Sequence, residues 1–137
     1  SGKVVIDVAQ GFNSQWTSSF SDIAGATSLD DGVANANAIV ADGTCSGDTA
    51  NCAAQRCRSI GADWYLPARN ELSAVHGALC SNDTIPCNFG GFSFAFYWSS
   101  SQSVSVGAWG VNFPSGGVNF DGKSSVRPVR CVRAFTP

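Results

Sequence analysis

Phe96-Tyr97-Trp98-Ser99-Ser100-Ser101, then Ala108-Trp109-Gly110-Val111-Asn112-Phe113, and finally Val126-Arg127-Pro128-Val129-Arg130-Cys131-Val132-Arg133 read as three or four short strands joined by Gly- and Ser-rich turns. The stretch 96–135 holds two of the four tryptophans and four of the eight Lys and Arg residues. Residues 110–113 and 117–120 are the same tetrapeptide, Gly-Val-Asn-Phe, separated by Pro114-Ser115-Gly116. They predict a hairpin with Val111, Phe113, Val118 and Phe120 on one face and Asn112 and Asn119 on the other. In the last strand Val129 and Cys131 alternate onto one face with Arg127 and Arg133, and Arg130 points the opposite way. The rest of the chain reads as helices and loops packed on these strands.

Upstream, 3–8 is a β-branched opening strand. Residues 10–28 space Phe12, Trp16, Phe20 and Ile23 by four and three, which fits a short helix or an anchored loop. Asp30 or Asp31 can cap a helix running to about residue 41, with Val33, Ala36, Ile39 and Val40 inward. A second helix spans 52–59, with Gly61 as a left-handed cap. Trp64-Tyr65-Leu66 is extended. A third helix starts at Pro67 and runs to about Leu79, its apolar face made by Leu72, Val75 and Leu79, with Glu71 suiting the dipole. Residues 80–95 form an irregular loop that contains the sequon Asn82-Asp83-Thr84.

A chain of 137 residues makes one domain, residues 1–137, large enough to bury roughly 65–70% of its unfolded surface. Only 13% of residues are charged, so the surface is polar but largely neutral. The longest apolar runs are a few residues, too short for a transmembrane helix, so no membrane insertion is expected. The opening Ser1-Gly2-Lys3 lacks signal-peptide character and reads as the start of a module cut from a longer chain. Net charge is −2, divided as −5 over residues 1–50 and +3 over 51–137. The total argues against a nucleic-acid partner and leaves room for a local anion-binding face.

Six cysteines stand at 45, 52, 57, 80, 87 and 131, without a Cys-x-x-Cys pair and with a single histidine, His76. That pattern favours three disulfides in an oxidising compartment over zinc. Fifteen connectivities are open. The short loops Cys45–Cys52 and Cys80–Cys87 bracket turn-forming residues, which leaves Cys57–Cys131 as a long-range staple from a helix to the final strand.

Asp63-Trp64-Tyr65-Leu66-Pro67 with Glu71-Leu72, Tyr97-Trp98-Ser99-Ser100-Ser101, Ala108-Trp109, Phe113, Gly116, Lys123 and the terminal Val126-Arg127-Pro128-Val129-Arg130 together resemble the Lcl C-terminal domain family, named for a Legionella collagen-like adhesin. The resemblance covers about residues 30–135. It implies an α+β fold similar to C-type lectins, with two to three short helices packed on a small antiparallel sheet and stapled by disulfides. It implies a domain secreted to the bacterial cell surface and, as in the collagen-like adhesin, a homotrimer. It further implies binding of sulfated glycosaminoglycans, of the heparin, chondroitin sulfate or fucoidan type, in adhesion and biofilm formation. The six cysteines suggest a disulfide-rich subgroup.

A sulfated polymer needs clustered cations, because contacts gain from counterion release and from fork-like Arg–sulfate hydrogen bonds. Lys123, Arg127, Arg130 and Arg133 lie within eleven residues, and the Cys57–Cys131 staple would bring Arg56 and Arg58 beside them. These six are the candidate ligand-binding residues. Arg127 and Arg130, being part of the family motif, have an equally good structural reading. A monomer of this charge would hold heparin poorly, and a trimer would multiply any such patch threefold, raising avidity without new contacts. Trp64, Trp98 and Trp109 read mainly as structural rings, and Trp16, in a polar loop, as the best candidate for an exposed aromatic or as a ring that pins its loop. No catalytic residue is expected: His76 lies near the apolar stripe of the third helix, and no nucleophile elbow is present. No cofactor or metal is expected either, since calcium-binding triplets of lectin type and EF-hand loops are missing. The alternative to a glycan-binding head is a trimerisation cap with no ligand of its own. An enzyme is the remote third reading.

Overall fold

The computed structural model describes residues 2–5, residues 11–79 without 19, 21, 44 and 46, and residues 95–135 without 114. Along them run β1 (Gly2–Val5), β2 (Phe12–Ser14), α1 (Gly32–Ala41), α2 (Ala53–Ile60), α3 (Arg69–Leu79), β3 (Phe96–Val104), β4 (Gly107–Asn112), β5 (Gly117–Gly122), β6 (Arg127–Val129) and β7 (Val132–Phe135). Among the described residues the strands form three antiparallel sheets, ordered β3-β4-β5, β2-β6 and β1-β7. The chain is therefore α+β, with short helices on small antiparallel sheets and disulfides tying them.

β3 sits at the centre because it buries both faces. Successive strand residues point to opposite sides. Tyr97 joins Leu72, Val75, Val111 and Phe113 in a cluster under α3. Trp98 turns the other way, into a cluster with Trp16, Ile39, Ala54, Leu66 and Ala108. Gly110, opposite Trp98, lies where a Cβ would collide with the Phe96 ring and the Tyr97 carbonyl. Only glycine lets β4 approach there.

The helices follow the expected capping with three corrections. Asp31 caps α1, its carboxylate accepting from the Ala34 N–H at 3.0 Å. Val33 is left 46% exposed, and Asn35 takes the inward place that the apolar pattern assigned to it. Asn35 can be buried because both ends of its amide are bonded, to Ser28 O, Ser28 N–H and Ser100 Oγ. Gly61 is not a left-handed cap: its φ of 176° is extended, and a Cβ there would come within 3.0 Å of the Trp64 ring. α3 begins at Arg69 rather than Pro67. Its start is fixed by Glu71, whose Oε1 accepts from the N–H groups of Ala68 and Gly32 and whose Oε2 accepts from the Tyr65 hydroxyl.

The described residues of the segment 10–28 are neither helix nor plain loop. β2 pairs with β6 in the register Phe12↔Val129, and the chain beyond it is irregular. The expected hairpin forms as β4–β5, with Val111 facing Val118. Its inner strand buries Val111 and Phe113, whereas β5 is the outer strand and leaves Val118 43% and Phe120 59% exposed. The final strand is broken at Arg130-Cys131 into β6 and β7, which exchange β2 for β1 as partner. Cys45 is bonded to Cys52 and Cys57 to Cys131. The expected Cys80–Cys87 pair lies outside the described residues.

Candidate ligand-binding surface

Two of the six candidate cations are inside the protein. Lys123 is fully buried. Its Nζ donates to Gln102 Oε1 at 2.6 Å and lies over the Trp16 ring, 4.8 Å from the centroid. Burial pushes its pKa below the ordinary 10.5, against the opposing pull of Asp22 and Asp42. Arg130, 3% exposed, is held in the break between β6 and β7. Neither side chain reaches a polymer at the surface, so the cluster of bases at 123–133 shrinks to its two remaining members.

Of those, Arg127 is occupied. Its Nε donates to Asp121 Oδ2 at 2.6 Å, and the two side chains form an ion pair at the surface. Arg56, Arg58 and Arg133 remain. The Cys57–Cys131 bond does bring α2 to the end of the chain, but residues 56 and 58 leave a helix on different sides. Arg56 turns toward β2 and stacks over Phe12 at 4.2 Å. Arg58 turns toward Trp64, its Nε donating to the Trp64 carbonyl at 3.2 Å and its Nη2 to Asn37 Oδ1 at 3.0 Å.

Arg133 meets Arg58 at the same residue. Tyr65 bridges Val132 in antiparallel sense, which sets Trp64 opposite Arg133, and the guanidinium lies over the indole at 5.5 Å. Beside this pair opens a cleft of about 370 Å³ lined by Val33, Asn37, Arg58, Asp63 and Trp64. Among the described residues the guanidinium groups of Arg56 and Arg133 make no hydrogen bond or ion pair, so their N–H edges stay available for an anion. In each case the ring lies against the guanidinium carbon without occupying its donors.

The serine run of β3 has a structural role that the sequence did not reveal. Ser99 donates to the Trp109 carbonyl at 2.6 Å, Ser100 accepts from Asn35, and Ser101 donates to Ser28 O and accepts from the Arg69 N–H. Gln102 accepts from Ile23 N–H and Lys123, and donates to Asp22. Trp16, read as exposed, is 1% exposed and donates its indole N–H to Ser99 O at 2.7 Å. Four consecutive buried polar residues thus fasten the loop before α1 to the sheet. The signal lay in the run of four polar residues behind three aromatics, but its partners are 10 to 83 residues away along the chain. His76 is engaged too: its Nε2 donates to the Phe113 carbonyl at 3.0 Å. Among the described residues no group of three or more His, Cys, Asp or Glu side chains gathers as a metal site would require, and no helix is long and apolar enough to cross a membrane.

The family model of the Lcl C-terminal domain matches residues 4–133. The chain belongs to the Lcl C-terminal domain family. The match takes in β2 through β6 with the second half of β1 and the first half of β7, so the Lcl C-terminal unit reaches into the opening strand that the motifs at 30–135 had left out. Both disulfides and the Arg58–Trp64–Arg133 edge lie within it. No curated protein matches the chain.

Proposed function

We propose that this Lcl C-terminal domain is the head of a bacterial surface adhesin and binds sulfated polysaccharides through Arg58, Arg133 and Arg56. The observation that carries the reading is the convergence of Arg58 and Arg133 on Trp64. Arg133 offers fork-like donors for sulfate beside the indole of Trp64, and Arg58, whose Nε and Nη2 are already bonded, adds positive charge next to it. Support for a surface location comes from the family and from two disulfides, which persist in oxidising compartments. The engagement of Ser99, Ser101 and His76 in internal hydrogen bonds favours binding over catalysis.

The site is small for a chain of net charge −2, so avidity from a homotrimer is part of the proposal. Chromatography on immobilised heparin over a salt gradient tests it. The protein elutes above its own low-salt wash, and Arg58→Gln with Arg133→Gln shifts elution to lower salt. Absence of retention at low salt overturns the reading. A trimerisation cap without ligand is favoured by Val104, Val106 and Val126, each more than half exposed. A trimer in light scattering with a silent glycan array would establish that reading in place of the first.

A further inference from the structure

Lys123, Gln102 and Asp22 form a chain of amine, carboxamide and carboxylate. Lys123 Nζ donates to Gln102 Oε1 at 2.6 Å, and Gln102 Nε2 donates to Asp22 Oδ1 at 2.7 Å. The Ile23 N–H donates to the same Oε1 at 3.0 Å, and the Ile23 carbonyl accepts from Nε2 at 3.3 Å. The carboxamide thus uses two donors and two acceptor sites, which fixes its orientation. Gln102 and Lys123 are buried, and the amine lies 4.8 Å from the centroid of the buried Trp16 ring.

These groups are the parts of an acyl transfer. Burial pushes the Lys123 pKa below 10.5, against the pull of Asp22 and Asp42, which brings the neutral, nucleophilic amine within reach. The electrophile is Gln102 Cδ, bonded to the oxygen that the amine already touches. The Ile23 N–H is aimed at Oε1, where the negative charge of a tetrahedral adduct gathers. Asp22 holds Nε2, the atom that has to leave, and is itself exposed, so ammonia has a way out to water.

We infer that Lys123 and Gln102 are the site of a self-catalysed crosslink, an amide between Nζ and Cδ assisted by Asp22 and the Ile23 N–H. The neutral amine attacks Cδ, the Nζ–Cδ bond forms, and the carbonyl electron pair moves onto Oε1. Asp22 takes a proton from the attacking nitrogen and delivers it to Nε2. The Cδ–Nε2 bond then breaks and the carbonyl is restored. One amine and one carboxamide become one secondary amide and one ammonia, so the step balances without an oxidant. The bond ties β3 to the turn after β5 across a separation of 21, inside the loop that Cys57–Cys131 closes, and reducing agents do not open it. The buried amine is the chain before this bond forms, and only that form titrates at Lys123.

Intact mass spectrometry of the reduced, denatured protein after incubation at neutral pH tests this. The expected mass is below that of the sequence by one ammonia. Chymotrypsin cuts between the two residues at Trp109, Phe113 and Phe120, and the peptides that hold Gln102 and Lys123 stay joined. Lys123→Met keeps its full mass. Asp22→Asn, at an exposed position that leaves folding intact, loses ammonia about a hundredfold more slowly. A wild-type chain that stays at full mass, with the two peptides separating, overturns the inference. Loss of one water in place of ammonia overturns it as well, because the amine has then joined a carboxylate. An equal rate in Asp22→Asn removes Asp22 from the reaction.

Discussion

Lys123 over Trp16 and Arg133 over Trp64 are the same contact in two settings. Each places a cation near 5 Å from an indole, at 4.8 and 5.5 Å. Inside, the ammonium is bonded to Gln102 and desolvated until its proton is held less tightly. Outside, the guanidinium lies against the ring and keeps its donors. Stacking by itself therefore does not mark a binding residue; what separates the two is whether the protein uses the donors or leaves them to a ligand. The delocalised, weakly hydrated guanidinium suits the second role, and the compact ammonium suits the first once an acceptor is supplied.

The largest expected effect lies outside this pair and sets its scale. Replacing Cys57 and Cys131 by alanine opens a loop of separation 74 and lowers stability by about 4 kcal/mol, measured by urea unfolding. Gln102→Leu comes next, because it removes the acceptor of Lys123 and of Ile23 N–H together, and costs about 3 kcal/mol in the same measurement.

Lys123 itself gives a pH effect whose sign can be worked out. Its folded pKa is below its unfolded 10.5, so between the two the unfolded chain binds more protons and stability rises with pH. The melting temperature of the wild type should gain on that of Lys123→Met as pH is raised toward 10.5. A gap that narrows instead would mean that the buried amine is stabilised as a cation. Arg133→Gln should be the smallest change in stability, within about 1 kcal/mol, while reducing heparin retention. Should Lys123→Met lower retention without altering stability, the contrast between inner and outer cation collapses.

Local signals in the sequence carried far. The acid before α1, the hairpin of repeated Gly-Val-Asn-Phe and the aromatic start of β3 were readable because each depends on neighbours a few residues away. What the sequence hid depends on distant partners. Trp16 reads as exposed because it stands among polar residues, and only its bond to Ser99 O, 83 residues on, reveals it as core. Lys123 reads as surface charge for the same reason, whereas for Arg130 it is the structural of its two readings that burial bears out. Of the candidate site, the idea that the Cys57 bond draws Arg56 and Arg58 to the final strand was sound, yet the helix sends them to different sides. Gln102 was passed over because nothing in the pattern around it shows that it would meet an amine 21 residues on.

The bond between Cys57 and Cys131 has a mechanical meaning for a domain at a cell surface. β1 and β7 run side by side, Gly2 beside Phe135, so tension applied across the two ends peels one strand from the other in sequence rather than shearing them together. The crosslink then halts the extension, since residues 58–130 lie within a closed covalent loop and cannot be drawn out. Under load the sheet β3-β4-β5, α3 and Trp64 are shielded, and the lengthening is confined to residues outside the loop, Arg133 on β7 among them.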